Sequence, residues 1–194
     1  MTSEKLDRRK KYTRMVLRKS LLQLLKQKSF SSITVKEICE RADINRSTFY
    51  AHYSDQFELL ETIEDEIVSD MKQYIDTYNL QEKEDALRMT EKLISYFAAK
   101  QEELIILLNA SGETSFERKV REVAQTSIRN EWIDTENADQ PLSSYMSAFI
   151  ISGSVHVLKM WLLGGMEEPP HAMAKLINNL INHGIYGSNW DNFA

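Results

Sequence analysis

The chain has 194 residues, 42% of them hydrophobic and 27% charged, which fits one large or two small packed globular domains. Its net charge of −5 conceals a split: residues 1–53 hold 13 Lys+Arg against 5 Asp+Glu, and residues 54–194 hold 11 against 24. One cysteine excludes an intramolecular disulfide framework, four scattered histidines give no metal-ligand spacing, and a basic head on an acidic body is the electrostatic footprint of a nucleic-acid module joined to something else.

Met1 is followed by polar and charged residues rather than a signal peptide. The most apolar stretch, Tyr145 to Leu163, contains Ser, Gly, His and Lys, which argues against a membrane span. The cytoplasm is the expected location. Residues 1–11 carry Lys5, Arg8, Arg9, Lys10 and Lys11 and read as a partly disordered basic arm. A helix follows to about Lys28, with Leu17, Leu21, Leu24 and Leu25 at core spacing and Lys11, Arg14 and Arg18 in a basic stripe. A solvated face would show the same stripe. Phe30 is expected to plug the core of the head.

Ile33 to Tyr53 reads as two short helices joined by a tight turn. Thr34 can cap the first, with Glu37 as its capping-box partner and Ile33 and Ile38 as a hydrophobic staple. Asp43 sits where the chain must turn, and Asp tolerates left-handed geometry. Asn45 can cap the second helix. At about 100° per residue, Phe49 and Tyr53 share the inward side and Ser47, Thr48 and Ala51 fall opposite. Arg46 and Tyr50 flank one edge, Asn45 and His52 the other. A helix entering a DNA major groove needs small residues on the inserted face and phosphate-reaching edges. A short bundle helix with a solvated face has the same period, but the double cap and the basic flank favour DNA.

The stretch TVKEICERADINRSTFYAHYSDQFELL resembles the helix-turn-helix of the tetracycline-repressor (TetR) family of bacterial transcription regulators. It departs from that pattern at Cys39 for a small Ala, Asp43 for the turn Gly, and Gln56 for a Lys that touches phosphate. The segment GSVHVLKMWLLGG and the helix after it resemble a subgroup that includes dihydroxyacetone-kinase operon regulators. The expected DNA-binding set is Lys10, Lys11, Thr34, Asn45, Arg46, Ser47, Thr48, Tyr50 and His52. Arg46, Ser47 and Thr48 would read base edges, and Thr34, Tyr50 and His52 would hold phosphates.

Ser54-Asp55 before Glu58 starts another helix, expected to reach about Tyr78 with Leu59, Leu60, Ile63, Ile67 and Met71 inward and Glu61, Glu64, Asp65 and Asp70 mostly outward. No Gly or Pro separates it from the preceding helix, so it is the mechanical connection between head and body. A polar break at 79–85 precedes helices to about Lys100 and over 104–108, a loop at 110–115, and a charged helix over 116–132. Residues 134–140 read as a mobile polar segment. Residues 143–163 form the most apolar helix, closed by Gly164-Gly165, and Pro169-Pro170 start the last.

The helix 143–163 is apolar almost all round, so it must be buried on more than one side. A second copy can supply one cover, and TetR resemblance implies pairing through the last two long helices. The expected dimer interface is Ile150, Val157, Trp161, Ile177, Leu180 and Ile181. Aromatic and Met residues suit an adaptable pocket, expected at Met71, Tyr74, Tyr78, Tyr96, Phe116, Phe149 and Met160, although ordinary core has the same composition. No catalytic, metal or cofactor motif is visible, so no enzyme activity and no cofactor are expected.

The expected architecture is all-α: a three-helix, homeodomain-like helix-turn-helix domain over residues 1–54, then a larger helical ligand-binding and dimerisation domain over 55–194. The expected function is a ligand-responsive repressor, homodimeric on a near-palindromic operator, whose unknown effector is apolar or amphipathic. The alternative is a helical small-molecule or protein-binding module whose head serves the nucleoid or division machinery.

Overall fold

The computed structural model describes residues 3–78, 83–109, 114–131 and 141–183, with side chains except at 3–6, 83, 128–131 and 141–143. Every regular element among the described residues is helical, and two compact units divide between Ile67 and Val68. The expected mobile segment 134–140 and most of the expected loops at 79–85 and 110–115 lie outside the described residues.

The first unit holds α1 (Ser3–Leu25), a 3-10 turn (Phe30–Ser32), α2 (Val35–Ala42), α3 (Arg46–Tyr50) and the start of α4 (Gln56–Asp76). Leu17, Leu21, Ile38, Phe49 and Leu59 are fully buried and form its core. Burying one such side chain contributes about 1.5–3 kcal/mol. The expected basic arm is instead the first turns of α1, which begin at Ser3. Asp7 four residues before Lys11 is a favourable helical charge pairing. Phe30 does not plug the core; it is half-buried and meets exposed Phe57 edge-on, ring centroids 5.0 Å apart.

α4 is continuous from Gln56 to Asp76 and crosses the division between the units. Its start is fixed by Asp55, whose carboxylate accepts from the Glu58 amide at 2.9 Å, and by Glu58, which accepts from Ser54. Glu64, expected outward, is buried, because it falls next to Ile63 and Ile67 on the helix's covered side.

The second unit holds the rest of α4 with α5 (Lys83–Ala99), α6 (Gln101–Leu108), α7 (Ser115–Glu131), α8 (Pro141–Leu163) and α9 (Pro170–His183). α9 packs on α5, and α8 packs on α6 and α7. The turn after α8 needs its glycines. A Cβ at Gly164 would stand 3.0 Å from the Met160 carbonyl, and Gly165 has φ +91°. The Met166 amide then bonds to the Trp161 carbonyl at 3.0 Å. The buried Trp161 indole donates to the Glu168 carbonyl at 2.9 Å and fastens the loop that leads into α9.

Candidate nucleic-acid interface and body cavities

The helix-turn-helix is built from three local devices. Thr34 and Glu37 form a full capping box: the Glu37 amide donates to the Thr34 hydroxyl at 3.3 Å, and the Thr34 amide donates to the Glu37 carboxylate at 3.0 Å. Lys28 donates to the same carboxylate at 2.6 Å. That bond first, and those from Thr34 next, hold the Glu37 carboxyl at about 2, against an ordinary value of 4.5. Asp43 takes the left-handed conformation, φ 52° and ψ 47°, and the Ile44 amide closes the turn on the Cys39 carbonyl at 3.0 Å. Asn45 caps α3 by accepting from the Ser47 amide at 3.0 Å and from the Ser47 hydroxyl.

These devices hold α3 against the core by Phe49 and leave Arg46, Ser47, Tyr50 and Ala51 exposed, with Thr48 half-buried. Small Ser47 and Ala51 beside long Arg46 and Tyr50 are the layout a groove-entering helix requires. The Tyr50 ring is braced edge-on by Phe49 at 5.6 Å. Thr34 and Asn45 are both exposed, yet their side-chain oxygens serve caps, so they fix the helices from which any contact would be made.

His52 is half-buried beside the basic face of α1. Burial first, then the charges of Arg14 and Lys10, push its imidazole below the ordinary 6.5, so it is neutral at pH 7. Lys10, Lys11, Arg14 and Arg18 line a groove of about 560 Å³ between α1 and the start of α4, with Tyr53 at its base and Asp7 and Glu66 among its walls. Arg18 forms an ion pair with Glu66. Lys10, Lys11 and Arg14 are exposed. Arg14 is the addition to the expected set, and its i, i+3 step from Lys11 was the signal for it.

In the body, Tyr74 and Tyr96 come together with centroids 5.4 Å apart, and the Tyr96 hydroxyl donates to Asp70 at 2.7 Å. Burial first and Asp70 second raise the Tyr96 hydroxyl far above its ordinary value. Met71 is buried and Tyr78 half-buried on the same helix. Phe116 lines a separate apolar cavity of about 30 Å³ with Phe97, Leu104, Leu108, Val120 and Leu158. Its polar wall is an ion pair, Lys159 to Glu117 at 2.8 Å, that sequence reasoning missed. Burial pushes the Glu117 carboxyl up, but the bonds from Lys159 and the Thr114 amide outweigh it and leave it below its ordinary value. Lys159 as the lone charge in an otherwise apolar helix was the available signal.

Two expected pocket residues are elsewhere. Phe149 and Met160 are 79% and 61% exposed, and Met160 lines a different groove, between α8 and α9. Of the expected interface residues, Trp161 and Ile177 are each 5% exposed within the single chain, Trp161 against the α8–α9 loop and Ile177 on α9, which packs on α5. Ile150, Val157, Leu180 and Ile181 are half-buried. The exchange has one cause: a helix apolar on every side gives no period from which to assign faces.

Two family models match the chain. The one described as bacterial regulatory proteins, tetR family, covers residues 18–63, and the one described as transcriptional regulator C-terminal region covers 84–183. An uncharacterized HTH-type transcriptional regulator, YxbF of Bacillus subtilis (strain 168), is 24% identical over 89% of this chain; the chain spans only 45% of that relative's length. A TetR transcriptional regulator from Streptococcus agalactiae 2603V superposes with TM-score 0.67 at 21% identity, over 93% of this chain and 99% of that one. The dihydroxyacetone kinase operon activator DhaS does so with TM-score 0.58 at 19% identity, over 90% and 96%. At those identities the structures share the fold. Together with the two family matches, they identify the chain as a member of the TetR family of helix-turn-helix transcription regulators, DNA-binding proteins rather than enzymes.

Proposed function

We propose that the chain acts as a homodimeric, ligand-responsive repressor in the cytoplasm, with residues 1–54 on a near-palindromic operator and residues 55–194 binding effector and partner. The observation that carries this reading is the face of α3, with Arg46, Ser47, Tyr50 and Ala51 exposed on a doubly capped helix-turn-helix. Lys10 and Arg14 supply positive charge beside His52, and Lys11 lines the same groove as they do. Arg46 would read a guanine bidentately, Ser47 and Thr48 would meet base edges, and Tyr50, His52 and the α1 cations would hold phosphates.

The effector site we propose lies at Met71, Tyr74, Tyr78 and Tyr96, extending toward Phe116. The buried Met71 and the paired rings of Tyr74 and Tyr96 suit an apolar or amphipathic small molecule. The support is that Tyr96 grips Asp70 on α4, the helix that continues into the head. A ligand favouring a displaced α4 weakens operator binding by the factor by which operator weakens ligand binding. Tenfold relief needs about 1.4 kcal/mol of differential affinity.

The test is Arg46→Ala measured on a panel of operator variants obtained by selection. Loss of about 1–3 kcal/mol confined to one operator position is expected. Uniform weakening across the panel would reduce Arg46 to a phosphate contact. The regulatory sign is read by reporter expression with and without the chain, and activation, as the name of DhaS records for that protein, would reverse the repressor assignment.

A further inference from the structure

The groove between α1 and the start of α4 lies wholly in the first unit, and its lining has two chemistries. Lys10, Lys11, Arg14 and Arg18 follow one another on α1 at steps of one, three and four, which keeps them within about 100° of arc. Against these four cations stand two carboxylates, Asp7 and Glu66, so the groove carries an excess of two positive charges. Glu66 pairs with Arg18, and Asp7 stands one turn before Lys11. Lys10 and Arg14 are exposed, one turn and about 6 Å apart along the axis. Their fields meet at His52, where burial first, then Arg14 and Lys10, push the imidazole below its ordinary 6.5. The rest of the lining is mostly apolar. Leu59 and Ile63 stand one turn apart on α4, Tyr53 lies at the base, and Met15 is exposed at the rim. Thr62 turns its hydroxyl to the Glu58 carbonyl at 2.8 Å.

A volume of about 560 Å³ is that of a small-molecule site and is too small for a duplex. Two excess cations beside an apolar floor match a compact head with two negative charges and a short hydrocarbon body behind it. A phosphate monoester has both. At neutral pH its head carries a charge of about −1.5 to −2 and offers three strong acceptor oxygens. A neutral or cationic ligand would leave the excess charge unmatched. Lys10 and Arg14 are also the side chains assigned above to DNA phosphate, and they cannot serve both ligands at once.

We propose that the α1–α4 groove of the head binds a small amphipathic phosphate monoester in competition with DNA, its phosphate on Lys10 and Arg14 and its apolar part on Leu59, Ile63 and Met15. The proposal rests on the DNA reading of the head and adds a competitor there, apart from any effector in the body. The probe is hexyl phosphate, titrated calorimetrically into the full chain at constant ionic strength without DNA. It should bind about tenfold more tightly than inorganic phosphate, a gain that needs about two buried methylenes. Hexanol should not bind. Hexyl phosphate should also weaken binding of a random-sequence duplex, a readout that needs no operator code. Arg14→Gln should weaken both hexyl phosphate and duplex. Met15→Glu sets a carboxylate at the rim of the groove. Its helical circular dichroism should match wild type, because the position is exposed, while hexyl phosphate binding and the competition are lost. Equal affinity for hexyl phosphate and inorganic phosphate would reduce the groove to a cation patch and overturn the proposal. Full competition in Met15→Glu, or binding that leaves the duplex in place, would overturn it too. Binding to phosphatidic acid vesicles but not to hexyl phosphate would assign the face to a lipid surface instead. A chain that binds hexyl phosphate but no duplex would keep the ligand and overturn both the competition and the DNA reading of the head.

Discussion

The Tyr96 hydroxyl donates to the Asp70 carboxylate across 2.7 Å, and so joins α5 to the body end of the helix that begins in the head. Asp70 is half-buried, which makes the bond stronger than an exposed one and its loss more costly. Tyr96→Phe should destabilise the chain by about 1.5–3 kcal/mol, the range for a hydrogen bond to a charged group. Because the folded state holds the Tyr96 proton more tightly than an ordinary tyrosine, this stabilisation is present below pH 10 and lost as pH rises beyond it. Denaturation of wild type and Tyr96→Phe should therefore differ by a constant amount up to about pH 9 and converge above pH 10. A gap that widens above pH 10 would refute the assignment.

Glu37 gives the opposite pH signature. Its carboxyl stands at about 2 in the folded chain against 4.5, so its contribution is present above pH 4.5 and is lost as pH falls toward 2. The stability difference between wild type and Glu37→Gln should shrink across that window. Thr34→Ala, which removes the other half of the box, should cost about 0.5–2 kcal/mol at neutral pH. Equal gaps for Glu37→Gln at pH 6 and pH 2.5 would show that Lys28 and Thr34 do not hold the carboxylate.

Lys159→Met tests the ion pair in the cavity wall. Glu117 is 9% exposed at its side chain and Lys159 20%, so deletion of one partner strands a nearly buried charge. The expected loss is at or below the lower end of about 3–5 kcal/mol, since Lys159 keeps some water. Lys159→Met with Glu117→Leu should recover part of it. A double variant no more stable than the single one would argue that the pair is not a stranded-charge problem.

His52 predicts a proton coupled to operator binding. The free head keeps its imidazole neutral at pH 7 through burial and the nearby Arg14 and Lys10. A phosphate against His52 would favour the charged form and raise that value. Operator affinity should therefore rise as pH falls from about 7.5 to 6, by at most about tenfold per pH unit for one proton. His52→Gln should flatten the profile. A wild-type affinity independent of pH in that range would place His52 away from phosphate.

The head was legible because its devices are local in sequence. Thr34 and Glu37 are three residues apart, Asp43 needs only its own backbone, and Asn45 caps the next turn. Where partners are distant, the reading was weaker. Phe30 found Phe57 instead of the core, and Glu64 proved buried, because nothing adjacent in sequence marks what covers them. α8 was legible as a helix and illegible as a set of faces. Its apolar residues run all round, so Phe149 and Trp161 could be told apart only by their cover: Phe149 is left exposed, and the α8–α9 loop lies on Trp161. Lys159 was the one residue in the helix that could have oriented it, since a lone cation there must turn toward an acid.

If α3 reads a defined operator sequence, DNA selected by the chain binds more tightly than the same bases scrambled. The direct measurement is the dissociation constant for DNA selected by the chain from a random pool, set against the same bases scrambled, over a series of salt concentrations. A preference of about 10³ or more for the selected sequence at physiological salt is expected, with log affinity falling steeply against log salt for both. Equal affinities for selected and scrambled DNA at every salt concentration would contradict the claim and leave the head a basic surface without a code.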